Sequence, residues 1–168
     1  MQVSDVVVLY EYNCWARDRI LSTAEQLDAD QLGASFVLSY GSILGTLTHI
    51  FNAEHLWRMR CQQRISPTSM RFETPVESLS DLERAWLEES ALMYAYVAGL
   101  KDSELEEVIS YRGLGGKVYE NRLWHIFMQL VNHGVQHRAE LAAKMNELGK
   151  SPGNLDFIIY LSQKAAKV

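Results

Sequence analysis

Five histidines occur among the 168 residues, and two of them, His133 and His137, stand four apart in Asn132-His133-Gly134-Val135-Gln136-His137-Arg138. A four-residue step on an α-helix turns about 40°, so both imidazoles look out from one face. With Cβ atoms roughly 5–6 Å apart, two neutral rings can each bring a nitrogen within about 2.0–2.1 Å of one divalent cation. The pair alone is not a site, because two helical histidines are equally often satisfied or solvent-facing side chains.

A third candidate is His49, which lies in an apolar stretch beside the small residues Gly45, Thr46 and Ala53. Small neighbours let a second helix come close, and an imidazole from that helix would complete three nitrogen ligands. Three protein ligands and one open position distinguish a catalytic zinc from a closed structural one. His125 and His55 fit less well, since His55 is six residues from His49, about 240° round the helix, and both are expected to be structural or exposed. Cys14 and Cys61 have no CxxC partner, which argues against a thiolate site. Nor is there an HExxH segment, so a zinc-protease reading lacks its general base. Glu54 and Glu140 are candidates either to orient ligands or to be simply solvated.

The elements that must position these residues are helical. Apolar positions at three- and four-residue spacing predict helices over about 3–27, 42–63 (capped by Ser42), 78–100 (capped by Ser78 or Ser80) and 121–148, with Gly149 just beyond the last. The second of these is apolar almost all the way round, with Ile43, Leu47, Ile50, Phe51 and Trp57 as one stripe, and is expected at the centre of a bundle. The third should bury Leu79, Leu82, Trp86, Leu87, Ser90, Met93, Tyr94 and Val97. Val108-Ile109-Ser110-Tyr111 and Lys117-Val118-Tyr119 flank Gly113-Leu114-Gly115-Gly116 and predict a small β-hairpin that leans on the helices. Leu155 to Lys164 is expected as a short final helix, and 34–41 and 65–76 as loops. The fold class is therefore all-α, a four-helix bundle with a small β-hairpin and a short C-terminal helix, in one domain over residues 1–168.

Composition narrows the partners. The net charge is −5, with 16 Lys and Arg residues against 21 Asp and Glu; the cations are scattered, which disfavours nucleic acid as a partner. No apolar run approaches the ~18–20 residues of a membrane span, and the start has no basic signal-peptide region. Two unpaired cysteines fit a reducing compartment, so a cytoplasmic protein acting on a small-molecule substrate, with no membrane partner, is expected.

Tyr12-Asn13-Cys14-Trp15-Ala16, Gly41-Ser42-Ile43, the His49…Glu54…Trp57 segment and Asn132-His133-Gly134-Val135-Gln136-His137-Arg138 together resemble the DinB/YfiT-like metal-binding proteins over almost the whole chain. The last segment is close to that family's NHxxxHRGQ signature, with Ala139-Glu140 in place of Gly-Gln. The resemblance implies an up-down-down-up bundle, often a homodimer, in which His49, His133 and His137 bind one divalent metal, commonly zinc or nickel. It also implies thiol-dependent S-transfer with a low-molecular-weight thiol. The alternatives are a non-catalytic metal-binding stress-response or binding module, and a metal-dependent hydrolase that uses a bound water of lowered pKa.

Overall fold

The apolar periodicity produces four long helices in the computed structural model, which describes residues 1–166. They are α1 (Val3–Ala24), α3 (Ile43–Gln62), α4 (Leu79–Ala98) and α5 (Leu123–Glu147). A short α2 (Ala29–Gly33) follows α1, a 3-10 turn (Asp102–Glu106) precedes the hairpin β1 (Val108–Arg112) and β2 (Val118–Arg122), and α6 (Phe157–Ala165) closes the chain. The Ser42 hydroxyl accepts from the Gly45 amide at 2.9 Å and that of Ser78 from the Asp81 amide at 3.2 Å. Each such cap contributes about 1 kcal/mol by satisfying an amide the helix leaves open. Gly149, at φ +75°, ends α5 while the Lys150 amide reaches back to the Met145 carbonyl, a Schellman closure that L side chains resist. The polar stretch after α1 is not just a stop: Asp28 and Gln31 form a reciprocal capping box and wind α2.

Pairwise contacts set the topology. α1 runs parallel to α5, with Ile20 and Ala24 near Leu141 and Met145 at one end and Val6 and Tyr10 near Leu123 and Phe127 at the other. α3 and α4 are also parallel, joined by Trp86 to Glu54 and by Arg58 to Glu89. α3 opposes α5, since His49 meets His133 while Trp57 lies by Tyr111 near the start of α5. The bundle is therefore up-down-down-up, and the loop after α3 must travel back along its length. The hairpin pairs Val108 with Arg122 through Arg112 with Val118, and Ile109, fully buried, anchors it to the helices.

The core falls into two apolar clusters, one around Ile20, Leu47, Phe51, Trp86 and Leu141, the other around Tyr10, Met93, Leu123 and Phe127. Between them lies a buried polar layer of Asn13, Arg17, Glu54, Arg58, Glu89 and Arg138. Three sequence expectations change here. Leu87 is 71% exposed and Tyr94 43%, because the buried face of α4 is the narrower stripe Leu82, Ala85, Trp86, Glu89, Ser90, Met93, Val97. On α3 the buried face continues from Phe51 into Glu54 and Arg58 rather than into Trp57, which turns toward the hairpin. Gly45 makes room for a loop and not for a helix: a Cβ there would collide with the Tyr40 carbonyl.

Glu89 is the most enclosed carboxylate of the polar layer. It accepts from Arg58 through both Nε and Nη2 and lies 2.8 Å from His55 Nδ1. Burial alone would push its carboxyl up, but the hydrogen bonds from His55 and Arg58 and the guanidinium charge outweigh it and hold the group at about 2, below the ordinary 4.5. A depressed carboxylate contributes stability that is complete above the unfolded pKa and is lost as pH falls through the folded one. Stability measured by urea unfolding should accordingly decline between about pH 4.5 and 2 in wild type. Glu89→Gln should cost about 3 kcal/mol at pH 7, by leaving Arg58 without its counter-charge, and should flatten that decline. An unchanged pH profile in the variant would remove Glu89 as its source.

Candidate metal centre

The three histidines singled out from the sequence come together. His49 projects from α3, His133 and His137 from successive turns of α5, and one ligand nitrogen from each lies within 4.8 Å of the others. His49 Nε2 and His133 Nε2 are 2.8 Å apart, and the three ring centroids are separated by 4.6–4.8 Å. Burial, reinforced by the neighbouring imidazoles His133 and His137, lowers His49 to about 4. Burial, then His137 and the Arg138 charge, lowers His133 to about 4 as well. Both rings are therefore neutral at physiological pH and present lone pairs.

Among the described residues no fourth His, Cys, Asp or Glu joins this cluster. His137 is buried, whereas His49 and His133 are half-exposed, so the centre is open to solvent on one side. A set of three imidazoles is a donor set for zinc, nickel, copper or iron, and the cluster can hold one such ion.

Two further groups complete the site. Glu140, one turn beyond His137, places Oε1 3.5 Å from His137 Nδ1, a buried nitrogen with no closer partner. It is itself held by the Ser39 hydroxyl at 2.8 Å and the Ser39 amide at 3.3 Å. Burial would raise the Glu140 carboxyl, but these donors and the His137 ring bring it below the ordinary value. It is thus placed to receive the Nδ1 proton and leave the other His137 nitrogen free as a ligand. Tyr40 stacks on His49, with centroids 3.6 Å apart and planes 13° from parallel, and meets His137 edge-on at 5.5 Å. The segment 34–41, expected as a loop, thus carries a wall of the site. The signal was Tyr40-Gly41-Ser42 itself: Gly41 sits at φ +76°, a conformation glycine allows, and the missing Cβ of Gly45 admits the Tyr40 carbonyl.

Glu54 turns out to be neither solvated nor beside a ligand. It accepts from Asn13 Nδ2 and from Trp86 Nε1, both at 2.8 Å, while Asn13 Oδ1 accepts from Arg138 Nη1 at 2.7 Å. This chain of bonds ties α1, α3, α4 and α5 together directly beneath the histidines. Gly134 is required for it, since a Cβ there would lie 2.7 Å from Asn13 Oδ1. His55 is engaged by Glu89 and His125 is exposed, so neither joins the cluster.

The DinB family profile matches residues 1–167. The chain belongs to the DinB family. A curated relative, Protein DinB of Bacillus subtilis (strain 168), is 21% identical over 160 residues, which cover 91% of each chain. The segments that carry the family likeness are the ones that meet in space: Asn13, Glu54 and Arg138 form the buried chain of bonds, and His49, His133 and His137 the cluster above it. No helix among the described residues is long and apolar enough to cross a membrane.

Elemental analysis of the purified protein should find one divalent transition metal per chain, and His133→Ala should lose it. Glu140→Ala should keep the fold but weaken metal binding by roughly 10–100-fold, the usual effect of removing the partner of a ligating histidine. Full metal content in His133→Ala would remove the centre.

Proposed function

We propose that this protein is a metal-dependent thiol S-transferase, with one divalent cation, zinc or nickel, held by His49, His133 and His137. The observation that carries the reading is the centre itself: three converging imidazoles, no fourth protein ligand among the described residues, and access from solvent. A cation held there supplies the positive charge that stabilises a thiolate at neutral pH. The histidines bind it, Glu140 orients His137, and Tyr40 walls the cluster on the His49 side and limits water there. In the reaction a low-molecular-weight thiol gives its S–H proton to water. The sulfur lone pair forms a C–S bond to the electrophile, and the leaving group departs with the electrons of the bond it breaks.

The chain's own cysteines are poor rivals for this role. Burial pushes Cys14 up to about 11 and Cys61 up to about 12, so neither is a thiolate at neutral pH. Two free thiols also suit a reducing, cytoplasmic setting. The homodimer belongs to the same proposal, and it is supported by the exposed strip Leu87, Ala91, Tyr94 and Ala95 on α4, the apolar residues of α1 and α3 being mostly covered within the molecule.

Zinc- or nickel-loaded protein incubated with cysteine and 1-chloro-2,4-dinitrobenzene should form thioether faster than the uncatalysed mixture, with the excess rate lost in His133→Ala. A rate equal to background would leave a metal-binding module without this chemistry. Light scattering should give the mass of two chains, and Leu87→Glu should halve it; a monomeric wild type would discard the dimer.

A further inference from the structure

A cleft of about 370 Å³ opens between α3, α5 and the hairpin, lined by Trp57, Tyr111, Asn121, His125, Ile126 and Gln129. It continues the face that carries the histidines. Along α3 the ridge runs His49, Ala53, Trp57; along the antiparallel α5 it runs His133, Gln129, His125, each in four-residue steps. Eight residues at 1.5 Å rise put the cleft about 12 Å from the metal centre, with only the small side chain of Ala53 on the α3 ridge between them.

The lining has a definite chemistry. Trp57 and Tyr111 meet edge to face at 5.0 Å and supply aromatic surface. Asn121 donates to the Tyr111 hydroxyl at 3.0 Å, which leaves its amide oxygen free, and Gln129 is exposed with both ends of its amide available. None of the six is a carboxylate or an ammonium. A fixed charge beside the two rings is Arg60, whose guanidinium packs over Trp57 and Tyr111 at 4.9 and 4.8 Å and donates to the Arg112 carbonyl. A cation already behind both rings opposes a second one in front of them. Aromatic walls with a few neutral donors and acceptors, in a volume at the small end of ligand pockets, suit a single flat ring with polar edges.

We propose that this cleft binds a planar, uncharged ring with hydrogen-bonding edges, held against Trp57 and Tyr111 with its edge on Asn121 and Gln129. It is the distal half of the substrate site, and the ring's substituent reaches along Ala53 toward the histidines; this second statement rests on the S-transfer reading, the first does not.

The test uses three probes on the metal-loaded protein: 4-hydroxybenzamide, cyclohexanecarboxamide, which is not planar, and benzyltrimethylammonium, which is cationic. Binding is read from the ¹H–¹⁵N NMR signals of the Trp57 indole and of the Asn121 and Gln129 side-chain amides. The benzamide should shift these signals saturably, with a Kd on the order of 1 mM, and more tightly than either other probe. Gln129→Leu, at an exposed position, and Trp57→Ala should each weaken it roughly fivefold, the loss of about one net hydrogen bond or its equivalent, with metal content unchanged. Absence of saturable shifts at these three groups, equal or tighter binding of the cation, or equal binding by both variants would overturn the proposal. Saturable binding in a protein that transfers no thiol upholds the cleft and removes the reaction; turnover without such binding removes the cleft alone.

Discussion

The Asn13 carboxamide holds the molecule together at its centre. Its Nδ2 donates to Glu54 and its Oδ1 accepts from Arg138, while Glu54 takes a second bond from Trp86. Every long helix contributes one member. Buried charges are costly unless each is met by hydrogen bonds and an opposite partner, and here one amide relays between a carboxylate and a guanidinium that do not touch. Sliding α3 or α5 by a turn would strand Glu54 or Arg138 in the interior. The network therefore penalises every other register, and register is what the metal centre needs: His49 is five residues before Glu54, and His137 is next to Arg138. A bundle of apolar contacts alone tolerates small slides, because dispersion is non-directional; the polar layer between its two apolar clusters does not.

Legibility from sequence followed the physical range of each signal. Helix spans, the Ser42 and Ser78 caps, the hairpin and the Gly149 stop are local, and each was readable from spacing or from one residue type in its turn. The convergence of His133 and His137 is also local. That His49 joins them depends on helix order and register, which no window of the chain contains; there the family resemblance supplied what spacing could not. Tyr40 escaped, and Glu140 could be named as an orienter but not told from a solvated carboxylate, because their placements arise between segments a hundred residues apart in sequence, joined through Ser39. Leu87 and Tyr94 misled for the opposite reason. Apolar residues adjacent to a buried stripe look like part of it, although one step round a helix is 100° and carries them into solvent.

Glu54 shows how one residue type can serve two unlike ends. A carboxylate near a histidine cluster invites the role of ligand orienter, yet its two oxygens are spent on an amide and an indole inside the bundle. The carboxylate that does reach a histidine of the cluster is Glu140, in the position where the family signature carries Gln. A carboxylate accepts a proton-bearing imidazole nitrogen more strongly than a carboxamide does, and its negative charge raises the basicity of the ring it contacts. The departure from the signature thus falls on the hydrogen-bonding partner of His137 rather than on the three histidines of the cluster.

The same distribution of polar groups separates what is rigid from what is open. Beneath the histidines, Arg138, Asn13 and Glu54 are sealed and linked by hydrogen bonds, with Arg138 Nη2 left without a partner; above them, His49 and His133 face solvent, roofed on one side by Tyr40. The cluster therefore has a fixed floor and an open face toward solvent. Along that face the α3 and α5 ridges lead through Ala53 to Trp57 and Gln129, where side chains become neutral and aromatic. The charge that a bound cation would bring is thus concentrated at one end of a groove whose other end carries no carboxylate and no ammonium. A molecule lying in it would meet a bound cation only at its inner end and the aromatic rings backed by Arg60 at the other, and this difference would set its orientation before any bond is made.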